Sequence, residues 1–182
     1  MRISVLPAWS KPWLFLCGLA TIPLSGGVGT GSLNLAATIN PAGSISAPSS
    51  ATLVAGDVAF QPFIGSLTLT YWARTTPAGG GTVTLSVSSD FTPAGGPSVA
   101  AGGLTYTCAG ATLGTPCSGT ETASTAAQTP VLALPAAACT GGGAPCSPQS
   151  PNSVNLTFIV VDDSRYATGS YSAKVTFTIS AT

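Results

Sequence analysis

The chain has 182 residues, with five Lys or Arg, five Asp or Glu and no histidine. Charge this sparse excludes a nucleic-acid or anionic-membrane footprint, which needs clustered Lys and Arg. The absence of imidazole removes Ser-His-Asp and Cys-His catalysis.

The chain opens with Arg2 and Lys11, continues into the apolar run LFLCGLATIPL over residues 14–24, and then into the small residues SGGVGTGS. A basic, an apolar and a small segment in that order predict a secretory signal peptide over residues 1–32, cleaved between about residues 25 and 33. Pro7, Pro12 and Pro23 argue against a buried helix here, and Leu16 before Cys17 departs from the small residue that a lipoprotein signal carries. No later run approaches the ~18 apolar residues of a membrane span, so no membrane insertion is expected after cleavage. Residues 33–182 then form a single domain, in which Arg74, Arg165 and Lys174 face Asp57, Asp90, Glu121, Asp162 and Asp163, a net charge of −2.

Period-two alternation runs through that domain. Leu33, Leu35, Ala37 and Ile39 share one face of LNLAATI. In SLTLTYWAR, Leu67, Leu69 and Tyr71 oppose Thr68, Thr70 and Trp72. In GTVTLSVSSDF, Val83, Leu85, Val87 and Phe91 oppose Thr82, Thr84, Ser86 and Ser88. Leu104, Tyr106 and Cys108 alternate with Thr105 and Thr107. SVNLTFIVV alternates at Val154, Leu156 and Phe158 and then turns continuously apolar, which predicts a strand covered on both faces at that end. The final SAKVTFTISAT places Val175, Phe177 and Ile179 inward, and VLALP offers a short strand ended by Pro135. TTPAGGG, FTPAGGP and CTGGGAPC carry turn chemistry between these runs.

Seven or eight short strands with such turns predict an all-β antiparallel sandwich of immunoglobulin-like type, with a barrel or jelly roll as the alternative. One stretch interrupts the regularity. From about residue 109 to 152 alternation fades and all four cysteines of the domain gather, which reads as a long stapled loop insertion.

The cysteine gaps, AGATLGTP and TGGGAP, are too wide for the paired ligands of a zinc knuckle and lack the C-x-x-C of a redox pair. Structural disulfides are expected, and of three possible pairings the short loops favour Cys108–Cys117 and Cys139–Cys146. No G-x-S-x-G and no S-x-x-K is present, Lys174 lies on a polar strand face, and the carboxylates show no catalytic spacing. Neither an enzyme nor a cofactor is expected. Asp162 and Asp163 in VVDDSRY read as a cap or turn after a strand, with a calcium site left open. Trp72 reads first as an aromatic buried under a loop or between the sheets and second as an exposed ligand platform. The strand edges carry almost no charge, the usual guard against pairing with a neighbour.

The ending YATGSYSAKVTFTISAT, from Gly169 to Thr182 above all, resembles the G-x-Y turn and terminal strand of bacterial spore-coat-U-type and related pilus-like secreted subunits. The resemblance implies an immunoglobulin-like subunit whose N-terminal strand completes a neighbour, building surface fibres. Leu33, Leu35, Ala37 and Ile39 would then be the donor face. The expected function is that of an exported structural or surface-interaction protein, secreted, periplasmic or at the cell surface, with self-association or other surface subunits as partners. The alternative is a monomeric secreted module that binds carbohydrate or protein through the 108–146 loops or Trp72.

Overall fold

The computed structural model describes residues 33–139 and 146–182, and these contain nine strands and no helix. The predicted signal segment, residues 1–32, lies outside the described residues. In chain order the strands are β1 (Ala42–Ser46), β2 (Phe63–Arg74), β3 (Gly81–Thr92), β4 (Leu104–Ala109) and β5 (Thr115–Pro116). They continue with β6 (Thr120–Thr122), β7 (Thr129–Leu134), β8 (Asn152–Val160) and β9 (Ser172–Ala181).

All pairings are antiparallel, in one sheet of order β1-β2-β8-β4-β6 and a second of order β5-β7-β3-β9. The sheets face each other across one core. β2 contributes Leu69 and Tyr71, β3 Val83 and Leu85, β4 Tyr106, β7 Val131, and β8 Val154 and Leu156, all fully buried. These positions are the inward half of each alternating run, so period two places them on the core side. Outward positions hold hydroxyls that bond across strands, as Ser66 with Thr157 at 2.9 Å and Thr82 with Ser180 at 3.1 Å.

Two tyrosines carry polar bonds into this apolar interior. The Tyr106 hydroxyl, from the first sheet, donates to the Pro130 carbonyl at 2.8 Å and lies 2.7 Å from the Thr129 hydroxyl in the second. The Tyr71 hydroxyl donates to the Leu113 carbonyl. Burial pushes both phenols above their ordinary range, so they stay neutral donors.

Six of the strands take places of an immunoglobulin sandwich. β1, β2, β8 and β4 occupy the places of A, B, E and D, while β3 and β9 occupy those of C and F. Among the described residues no strand fills the place of G beside β9.

Three expectations are corrected. First, Leu33–Ile39 forms no strand. The first strand is Ala42–Ser46, which pairs with Arg74–Thr70 although its sequence AGSIS hardly alternates. Pairing there follows from lying next to β2, not from amphipathic pattern. Second, the stretch around 109–152 is not one irregular insertion. It contains β5, β6 and β7, giving nine strands rather than seven or eight. Strands as short as β5 and β6 leave no periodicity to read. Third, β8 is not covered on both faces at its apolar end. Its burial alternates to the last residue, Ile159 is half-buried on the outer face, and Val161 beyond it is exposed.

Candidate functional site

β9 is the long unpaired edge of this sandwich. The other edge strands, β1, β5 and β6, have five, two and three residues, whereas β9 has ten. Short edges offer little template to another chain, but a long one presents a row of open backbone donors and acceptors. Lys174 is the single charge on β9, and the rest of its outer face is Ser172, Thr176, Thr178 and Ser180. One lysine is a weak guard for ten residues.

The inward side of β9 is also unfinished. Val175, Phe177 and Ile179 pair with Val87, Leu85 and Val83 of β3 in that order. The three β3 residues are buried, whereas their β9 partners are only partly covered. Ile45, Phe63 and Leu67 from the opposite sheet, and Leu53 from the segment between β1 and β2, are likewise partly buried against the core. β1 packs close to β9: a Cβ on Gly43 would stand 3.0 Å from Ile179 Cγ1. The inward row of β9 is thus half-covered along the edge where, among the described residues, no strand fills the G position.

Residues 33–39 belong to no strand, and Leu33, Leu35 and Ile39 are 81%, 89% and 73% exposed. Three large apolar side chains thus stand in solvent, at alternate positions of the segment with Ala37 between the last two, and no strand covers them. The segment joins β1 through Asn40 and Pro41, and Arg74 anchors the joint by donating from Nε at 3.0 Å and Nη2 at 2.6 Å to the Asn40 carbonyl. Ala37 stands exposed between its apolar neighbours.

Both disulfides are formed. Cys108–Cys117 closes at 2.06 Å and Cys139–Cys146 at 2.13 Å. The first does more than close a turn. Cys108 lies in β4 of one sheet, while Cys117 follows β5 of the other and donates its N–H to the Val131 carbonyl at 2.9 Å. It therefore ties the sheets together. The second bridge lies beside Trp72, and both line a shallow depression of about 280 Å³. Trp72 is half-buried and donates Nε1–H to the Pro148 carbonyl at 3.2 Å, so the loop before β8 partly covers it. Two disulfides fit an oxidising, extracellular-type compartment, and among the described residues no helix is long and apolar enough to cross a membrane.

The carboxylates have structural duties. Asp163 accepts from the Arg165 backbone at 2.9 Å and from its guanidinium Nη2 at 2.6 Å, which holds its carboxyl down at about 2. Asp162, next to it, accepts no hydrogen bond from the described residues. Among the described residues no group of three or more His, Cys, Asp or Glu is placed to hold a metal ion.

Asp90 at the end of β3 organises the following loop. Its carboxylate takes N–H bonds from Phe91 and Val99, each at 2.7 Å, and the Ser98 hydroxyl at 2.8 Å. Partial burial pushes its carboxyl up, but these bonds, that from Val99 first, outweigh burial and hold it below the usual carboxylate range. A depressed folded value means the contribution is complete above the unfolded value of about 3.9 and vanishes as pH falls through the folded one. Asp90→Asn is expected to cost about 1–2 kcal/mol at neutral pH. In thermal unfolding across pH, the gap between wild type and variant should close as pH falls through and below the usual carboxylate range. A gap that persists unchanged into acid would contradict this role for the charge.

Of these features, sequence periodicity indicated the alternating apolar positions at 33–39. The open side of β9 and the Asp90 loop cap escaped it, because both depend on which segments meet across the fold. Comparison of the chain with protein-family models, with curated proteins and with solved structures gives no match to any of them.

Proposed function

We infer that this protein is an exported structural subunit that assembles by strand exchange. The Leu33–Ile39 segment of one copy adds to the β9 edge of the next. The observation that carries this reading is the empty G position: β9 is a ten-residue edge with Val175, Phe177 and Ile179 half-covered. Added strands gain backbone hydrogen bonds from the edge and specificity from alternate side chains entering the core. Residues 33–39 span about 23 Å when extended, and β9 about 33 Å, so the donor fits within the acceptor. Leu33, Leu35, Ala37 and Ile39 recur with the period of the β9 inward row. The resemblance of residues 169–182 to pilus-like secreted subunits points to the same mode of association.

Direction decides what is built. Arg74, to which the Asn40 joint is bonded, pairs with Ala42 at the end of β2 remote from Phe63. Gly81 pairs with Ala181, which places the end of β9 near the end of β2 where the donor is rooted. A donor that folded back along its own β9 would have to run parallel to it. A donor from a second copy can run antiparallel, the pairing used throughout these sheets and the more stable per residue. Each copy then gives to one neighbour and receives from another, a head-to-tail contact that does not close.

The test is size-exclusion chromatography and electron microscopy of the purified protein, with and without residues 33–40. Concentration-dependent assemblies are expected of the intact chain and monomers of the truncated one. An intact protein that stays monomeric, or a truncated one that still assembles, would sink the proposal.

A further inference from the structure

Beyond the last residue of β8 and the first of β9 the chain lines an open cavity of about 860 Å³, in the size range of small-molecule sites. Five aromatic rings stand in its wall, those of Phe60, Phe63, Phe91, Tyr166 and Tyr171. Two carboxylates, Asp162 and Asp163, stand there with them, and no lysine or arginine does. Asp163 is already neutralised by Arg165, whose side chain points to solvent at 87% exposure. Asp162 is half-buried and accepts no hydrogen bond from any described residue. One carboxylate is thus left without a counter-charge among aromatic rings.

Two of those rings are held in place at some cost. Phe60 has φ of +62° and stays 60% exposed, an uncommon conformation for a bulky side chain and one that burial does not repay. Tyr171 is fixed by its hydroxyl, which donates to the Ala167 carbonyl at 2.5 Å. Its ring also lies against the backbone of Gly96, where an added Cβ would come within 2.3 Å of the ring.

We propose that this cavity binds an organic cation, an alkylated ammonium group whose charge pairs with Asp162 and whose alkyl shell lies against the aromatic faces. The faces of aromatic rings are electron-rich and attract cations, and low-dielectric walls focus the field of a carboxylate. A hydrated metal ion does not suit the place: it needs several oxygen ligands, and no cluster of three or more ligating side chains is present among the described residues. An anion would meet an unshielded carboxylate. Asp162 lies off both the β9 edge and the donor segment, whereas Leu53 and Phe63 belong to the cavity wall and to the open side of the sandwich alike, so Asp162 is the residue that tests the cavity apart from strand exchange.

The probe is choline, compared with 3,3-dimethylbutan-1-ol, its uncharged isostere, in titrations of the purified protein followed by calorimetry and by the aromatic NMR signals. Choline should bind saturably and at least about tenfold tighter than the isostere, a preference that salt weakens. Asp162→Asn should bring the two ligands within about twofold of each other, without altering oligomeric state. Phe60→Ala, at an exposed ring, should weaken choline while leaving the preference for charge. Equal affinity for choline and its isostere in the wild type would overturn the proposal by making this a merely apolar cavity. So would the absence of saturation at millimolar choline, or an unchanged preference in Asp162→Asn.

Discussion

A synthetic peptide spanning Leu33–Pro41, added to protein lacking residues 33–40, is expected to raise its melting temperature by about 5–10 °C. The size of the shift follows from linkage. A ligand that binds only the folded state at a hundred times its Kd stabilises by about 2.7 kcal/mol. For a domain of this size each kcal/mol moves Tm by about 2–4 °C. The source of the energy is the half-covered row Val175, Phe177 and Ile179, together with Leu67 and Ile45 across the seam. Apolar surface there leaves water at roughly 25 cal/mol per Å². A peptide with Leu35→Asp and Ile39→Asp keeps the backbone and loses the anchors, so it should not shift Tm. A wild-type peptide that is also silent would show that the β9 edge does not accept this segment.

The second large effect concerns the bridge between the sheets. In the chain-entropy model, closing the loops of Cys108–Cys117 and Cys139–Cys146 contributes about 2.5 kcal/mol each. Because Cys108–Cys117 joins β4 to the end of β5, its loss also frees the two sheets from one another at that end. Replacing both of its cysteines by Ala should lower Tm by about 5–10 °C, and full reduction of the protein should lower it further. Total stability of a domain is only about 5–15 kcal/mol, so loss of both bridges removes a large share. The Cys139→Ala/Cys146→Ala variant keeps the sheets tied and isolates the loop contribution. Calorimetric unfolding of the two double variants checks the claim. Equal Tm values for wild type and the Cys108/Cys117 variant would refute a stabilising role for the inter-sheet bridge.

These effects differ in how far they are readable from residues alone. The core of β2, β3, β4 and β8 was legible because Leu69, Tyr71, Val83, Leu85, Tyr106 and Leu156 repeat with period two between hydroxyl-bearing neighbours. The same criterion selected Leu33–Ile39, which is no strand in this fold, and passed over AGSIS at 42–46, which is one. Trp72 alternates with hydroxyl-bearing residues as an outward position should, but its half-buried state depends on Pro148, which lies far along the chain. Asp162 and Asp163 share one sequence context, and only the turn separates them. Arg165 folds back onto Asp163 and leaves its neighbour to the cavity.

Composition and pattern by themselves determined an all-β chain, antiparallel and sandwiched, with sparse charge and disulfides suited to an oxidising compartment. They did so because alternation, turn chemistry and cysteine spacing are local properties, written within a few residues of one another. Only the tertiary structure decided that Cys108–Cys117 crosses between sheets, that the region after residue 109 contributes three strands, and that β9 lies at an open edge beside an aromatic cavity. An edge strand and an inner strand have the same period. What distinguishes them is the presence of a neighbour, and neighbours here are set by backbone pairing between segments as distant as Gly81 and Ala181.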